Sequence, residues 1–209
     1  LTTGDTPDEA AEKAQDLMTR EGGTFEWADD HKCEFGIDKF GLVLFTRKKE
    51  RKATCPDINL RGELILATPA HKVLGVYLDQ ELRFKQQVAH ALEKGQTWLD
   101  GFKRLSRPSQ GISNKYGQQY YLAVAAPKML YAADVFISPP AAGNGHSKGV
   151  IRKLSRIQRG ASIHILGALR STATTVLDAH ANLLPFETLI DKVCHDAATR
   201  YATAPPTNP

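Results

Sequence analysis

A chain of 209 residues with 42% hydrophobic and 24% charged side chains has the make-up of a folded protein, which excludes disorder throughout. Three cysteines at wide spacing, Cys33, Cys55 and Cys194, argue against a secreted disulfide framework and for a reducing, intracellular setting. The net charge of +4 conceals an asymmetry: residues 1–30 hold two basic and nine acidic side chains, whereas residues 31–172 hold 23 and ten. That middle span calls for a polyanionic partner. The most apolar stretch, 122–137, is interrupted by Lys128 and Asp134 and falls short of the roughly 18 apolar residues of a membrane span. The start shows no signal-peptide pattern, and Leu1 in place of Met marks a processed or partial chain.

In chain order, Thr6-Pro7-Asp8-Glu9 predicts a helix start: Thr6 caps, Pro7 sits where a missing N–H costs nothing, and Glu9 completes a capping box. Ala10, Ala14, Leu17 and Met18 form its apolar face, and Gly22-Gly23 interrupts or ends it. Gly41-Leu42-Val43-Leu44-Phe45-Thr46 reads as a buried strand, and the basic run Arg47-Lys48-Lys49-Glu50-Arg51-Lys52 as an exposed loop. Leu64-Ile65-Leu66 and Val73-Leu74-Gly75-Val76-Tyr77-Leu78 read as a pair of strands joined by residues 68–72.

Helical spacing then takes over. Phe84, Val88, Ala91, Leu92, Leu99, Phe102 and Leu105 predict a helix of about 22 residues. Ser113 caps a second helix carrying Tyr116, Tyr120, Ala123 and Val124, with Pro127 kinking or ending it. Gly143-Asn144-Gly145 marks a loop, and a further helix runs over 148–166. Ser171 opens a short helix and Pro185 the last one, whose apolar face holds Phe186, Leu189, Ile190, Val193, Ala197 and Tyr201. A proline-rich tail follows from Pro205.

The helix over 148–166 carries the clearest chemical signal. Lys148, Arg152, Arg156 and Arg159 recur at steps of four and three on one face, with Lys153 beside them. Like charges so spaced repel, and Asp134 is the only acid between Asp100 and Asp178, against eleven Lys and Arg. A phosphate backbone would relieve the repulsion; a solvated helix face is the competing account. Tyr116, Tyr120 and Tyr121 suit either base stacking or, more in keeping with their spacing, the core.

Other signals are weak. Asp29-Asp30 looks like a metal-binding pair, but its flanks are polar and only 28 residues precede it, so an exposed helix end is the better reading. His31-Lys32-Cys33 and Cys194-His195 lack the paired spacing of a zinc site. No phosphate loop or nucleophile elbow is present, and Asp100, Asp134 and Asp178 fall on separate elements. No metal site and no catalytic set emerges.

Several stretches together resemble the fungal branch of LINE-type (non-LTR retrotransposon) reverse transcriptases. They are Cys33 to Phe40, His71 to Asp79, Leu82-Arg83-Phe84, Pro127 to Phe136, the pattern Arg152-Lys153-Leu154-x-Arg156-Ile157-Gln158-Arg159, and Leu183 through Thr203 with Pro205-Pro206. The resemblance spans roughly residues 7–209 and is to the C-terminal part of the enzyme. It implies that residues 1–80 are the palm edge after the catalytic hairpin, 81–170 a thumb-like helical region, and 171–209 connection helices and tail. It places Lys39 at the lysine of a post-catalytic motif that assists pyrophosphate departure, though Gly36 and Phe40 stand where Asn and Thr are usual. The competing account of Lys39 is an exposed residue leading a strand. It also matches Val73 to Asp79 with the primer-grip hairpin, where Gly75 allows close approach to nucleic acid or simply forms a bulge.

The expected fold is therefore α+β and mostly α: a small palm-edge α/β remnant followed by a thumb-like helical bundle. The expected function is template–primer duplex binding, RNA–DNA or RNA, through Gly75, Lys148, Arg152, Lys153, Arg156 and Arg159. The resemblance implies that catalytic aspartates, and the Mg2+ they hold, lie outside this chain, which has no cofactor of its own. Fingers and the remaining palm are its implied partners, no membrane is, and the setting is nuclear or cytoplasmic. The alternative is a non-catalytic helical module that binds protein, or a decayed element with no retained activity.

Overall fold

The computed structural model describes residues 1–46, 56–106, 111–138 and 147–205. The basic run 47–52, Cys55, the loop at 143–145 and the tail beyond Pro205 lie outside the described residues. The fold is α+β and mostly helical, as expected, and divides into Leu1–Gln86 and Gln87–Pro209.

In the first unit, helix α1 spans Pro7–Thr19 with the expected start. Thr6 Oγ1 accepts from the Glu9 N–H at 3.2 Å, and the Glu9 carboxylate accepts from the Asp5 N–H at 2.8 Å. Its buried position is Ala11, with Ala14 and Met18 half-buried beside it, whereas Leu17 points to solvent. The expected face was thus rotated by about one residue, because Gln15 lies on the inner side and accepts the Asn59 N–H. Helix α2 (Thr24–Asp30) follows and packs on α1. Phe25 joins Ala11, Ile58, Leu60 and Ile65 in a small core, edged by Phe35 and Phe40. The Arg61 guanidinium lies 4.4 Å above the Phe25 ring while pairing with Asp29 at 2.6 Å.

The strands differ from the sequence reading. Strands β1 (Ile58–Leu60) and β2 (Glu63–Ile65) pair with each other, and β3 (Ala70–Val73) pairs with β4 (Val76–Asp79). Each is an antiparallel hairpin closed by two residues at positive φ: Arg61 and Gly62, then Leu74 and Gly75. This is the primed turn that matches the twist of paired strands, and the X-Gly dipeptide is its signature. Residues 64–66 therefore do not pair with 73–78, and residues 70–72 are strand rather than connection. With the strands paired off in hairpins, the apolar run 41–46 forms no regular strand. It makes one parallel bridge, Leu42 to Ala67, and Leu42 O accepts the Thr68 N–H at 2.8 Å.

The second unit is helical. Helix α3 (Lys85–Leu105) buries Gln87, Ala91, Gly95, Trp98, Leu99 and Phe102, one stripe at helical spacing. Helix α4 (Asn114–Tyr120) runs into a π-helical turn, Tyr121–Ala125, and then helix α5 (Ala126–Met129). Pro127 is the physical reason: lacking an N–H and crowding the preceding carbonyl, it forces the helix to widen rather than end. The buried face is Gly117, Tyr121 and Ala125, one residue off the expected Tyr116, Tyr120, Val124 register. Helix α6 (Ala133–Phe136) precedes the long α7, Lys148–Leu166, whose bounds agree with the sequence reading. Helix α8 is Thr174–His180, starting three residues beyond the expected Ser171, and α9 is Phe186–Thr203. Helix α7 packs on α4, α8 and α9, so it is the spine of this unit.

Candidate nucleic-acid interface

Helix α7 has a core face and a cationic face, and its sequence dictates both. Ile151, Leu154, Ile157, Gln158, Ala161, Ser162 and Ile165 are buried. At 100° per residue these occupy one arc, while Lys148, Arg152, Arg156 and Arg159 fall within roughly 80° on the opposite side. Lys153 lies beyond that stripe toward the other edge. Lys148, Arg152, Lys153 and Arg156 are exposed. Among the described residues, none of these four side chains makes a hydrogen bond or an ion pair. The helix starts at Lys148, so the cations at its first turns also oppose the positive end of the backbone dipole. This end of the helix is therefore electrostatically unfavourable unless an anion lies against it.

Arg159 is different. Its Nη1 donates to Thr174 Oγ1 at 2.8 Å and its Nη2 to the Arg170 carbonyl at 2.7 Å. The guanidinium thus ties α7 to the segment that leads into α8, a role that its place in the stripe concealed. Near the same end, half-buried His164 is held below its ordinary pKa by burial, then by Lys103 and Arg170. That direction favours the neutral imidazole.

On the core side, Gln158 organises a buried polar network that the sequence reading missed. The Tyr121 hydroxyl donates to Gln158 Oε1 at 2.9 Å, and Gln158 Nε2 donates to Asp178 Oδ1 at 3.1 Å and the Leu184 carbonyl at 2.9 Å. Burial, and then the Asp178 charge, push the Tyr121 hydroxyl well above its ordinary pKa. Burial likewise raises Asp178, against the opposing pull of the Gln158 amide and Arg159. One signal was available: Gln158 is a polar residue on the apolar face of α7. Of the tyrosines weighed for base stacking, Tyr121 is in the core, Tyr120 leans on Trp98, and Tyr116 is exposed.

In the first unit, Lys39 is exposed at the end of a 3-10 turn, Ile37–Lys39, and does not lead a strand. Gly75 sits at the tip of the β3–β4 hairpin with φ of +88°, so it is a turn residue rather than a bulge within a strand. Beside it, Leu74 is 89% exposed and also has positive φ, a strained backbone for a branched side chain. Asp29 and Asp30 are at the exposed end of α2, as expected, with Asp29 engaged by Arg61. They do not fit a two-metal centre, and among the described residues no three His, Cys, Asp or Glu converge as metal ligands. Asp100 pairs with Lys103, and Asp134 accepts from the Tyr201 hydroxyl, so neither joins Asp178 in a site. Among the described residues no helix is long and apolar enough to cross a membrane.

The chain is similar to the RNA-directed DNA polymerase from mobile element jockey of Drosophila melanogaster. It is 26% identical over 111 residues, which is 53% of this chain and 12% of that protein. No protein-family model matches, and no solved structure does.

Proposed function

We propose that this chain is a piece of a LINE-type reverse transcriptase of the fungal branch, and that it grips template–primer duplex by the backbone. The carrying observation is the exposed side of α7: Lys148, Arg152 and Arg156 opposite the core face and Lys153 at its edge, four exposed cations without a protein partner among the described residues. Phosphates relieve their mutual repulsion, and release of condensed counterions drives the association. Such contacts position a duplex without reading its sequence. The similarity to the jockey polymerase supports the family side of the reading independently of charge.

In this reading residues 1–80 are the palm edge, 81–170 the thumb and 171–209 the connection. Lys39 and the Gly75 hairpin tip lie toward the primer end, while Lys148, Arg152, Lys153 and Arg156 hold phosphates. Arg159 acts indirectly, by fixing the segment before α8. Catalysis and its Mg2+ belong to aspartates outside this chain, and the work is done in the nucleus or cytoplasm. The rival reading, a protein-binding helical module, would use the apolar face of the last helix. Phe186, Ile190 and Ala197 of that face are instead buried within the second unit.

The test is fluorescence anisotropy of the purified chain with a labelled RNA–DNA hybrid, from about 50 to 200 mM salt. Saturable binding that weakens steeply with salt is the expected result. A folded chain that fails to bind at the lowest salt overturns the proposal.

A further inference from the structure

Away from the α7 stripe, the second unit holds an open surface groove of about 370 Å³ beside the π-helical turn. Its lining is Lys94 from α3, Ala123 and Val124 from the π turn, and Pro127, Lys128 and Tyr131 beyond it. The floor is apolar and both charged members are cations. Lys94 and Lys128 are exposed, come from different elements, and among the described residues have no ion-pair partner. The groove therefore borders an apolar lining with two positively charged side chains.

Pro127 follows the wider π turn that carries Ala123 and Val124, and the opening lies between these residues and Lys94 of α3. Small side chains line the opening where larger ones would fill it. Such π-helical turns recur at functional sites.

From this geometry we propose that the groove binds one unpaired nucleotide, its base on the apolar lining beside Tyr131 and its phosphate between Lys94 and Lys128. The volume lies at the lower end of ligand cavities, which suits one nucleotide rather than a helical peptide. Two cations and no acid in the lining select an anion, and the apolar lining with the Tyr131 ring favours one that carries a base. The site shares no residue with the α7 stripe, so its test is independent of duplex binding.

The experiment is calorimetric titration of the intact chain with adenosine 5′-monophosphate, ribose 5-phosphate and inorganic phosphate in parallel. The nucleotide binds in the millimolar range, and the two baseless anions bind about tenfold more weakly. Lys94→Gln with Lys128→Gln lowers nucleotide affinity about tenfold, while Arg152→Glu with Arg156→Glu leaves it unchanged. Both lysines are exposed, and a native circular dichroism spectrum confirms folding. Tyr131→Ala gives a second reading, weakening the nucleotide and not phosphate. Equal affinity for all three anions overturns the proposal, since charge alone would then explain them. So does no nucleotide binding at roughly 10 mM, or affinity unmoved by the paired lysine change.

Discussion

Replacing Arg152 and Arg156 together by glutamate separates duplex binding from folding, because the two changes act in opposite directions on them. If the four free cations of α7 each meet one phosphate, the logarithm of affinity falls with the logarithm of salt at a slope of about −3.6. Between about 50 and 200 mM salt that is a loss of roughly 150-fold. With two contacts left, the slope becomes about −1.8 and the loss over the same range roughly 12-fold. At about 0.1 M salt the reversed chain should bind some 60-fold more weakly, before any repulsion from the new carboxylates.

Folding responds the other way. Lys148 to Arg152 and Arg152 to Arg156 are like-charge pairs four apart, and Arg156 to Arg159 is one three apart. Acid at 152 turns the first pair attractive, acid at 156 turns the last, and only the middle pair stays repulsive, for a net gain of a few tenths of a kcal/mol. The melting temperature should therefore hold or rise slightly. Anisotropy against salt and a thermal melt on the same preparations measure both quantities. If affinity and slope do not change while the helix stays native, the stripe is a solvated face and the duplex reading is wrong.

Three further outcomes follow from the core of the second unit. Tyr121→Phe removes the donor to Gln158 Oε1 and strands a buried acceptor, which should cost about 1–2 kcal/mol in urea denaturation; no loss would mean that the 2.9 Å bond is not formed in solution. Asp178 has its folded pKa raised, so the folded state holds its proton more tightly than the unfolded chain does. Its contribution is thus complete below its ordinary value of 3.8 and is lost as pH rises through the raised value, the reverse of a salt-bridged carboxylate. Asp178→Asn should flatten that part of the stability profile, and an unchanged profile would show that another group is responsible. A Cβ at Gly95 would lie 2.6 Å from Met129 Sδ and 2.7 Å from Ile157 Cδ1, so Gly95→Val should destabilise by about 1–3 kcal/mol, with a neutral result showing that α3, α5 and α7 do not meet as described.

Legibility in the sequence followed the length of each element. Helix α7 was read with its bounds because 19 residues repeat one apolar arc and end at Gly167, which takes the left-handed cap conformation. Helix α3 was legible for the same reason, and α1 because its first residues contain the whole capping motif. The hairpins were misread because strands of three and four residues carry too few positions to establish a period. Their X-Gly turns were the stronger signal. The register of α4 slipped by one residue because Tyr116 and Tyr120 suggested an apolar face, while tight packing against Phe102 and Ile165 put Gly117 inside.

What the sequence determined by itself was therefore the helical period, the cationic stripe and the acid-poor span around it, since these are local or additive properties of the chain. Which cations are free was not among them. Arg159 has the same charge and helical phase as Arg152, yet Thr174 and the Arg170 carbonyl engage it, and those partners are brought there only by the packing of α8 on α7. The Tyr121–Gln158–Asp178 network is also tertiary: its members lie 37 and 20 residues apart, and a buried polar side chain finds its partners across helices, not along them.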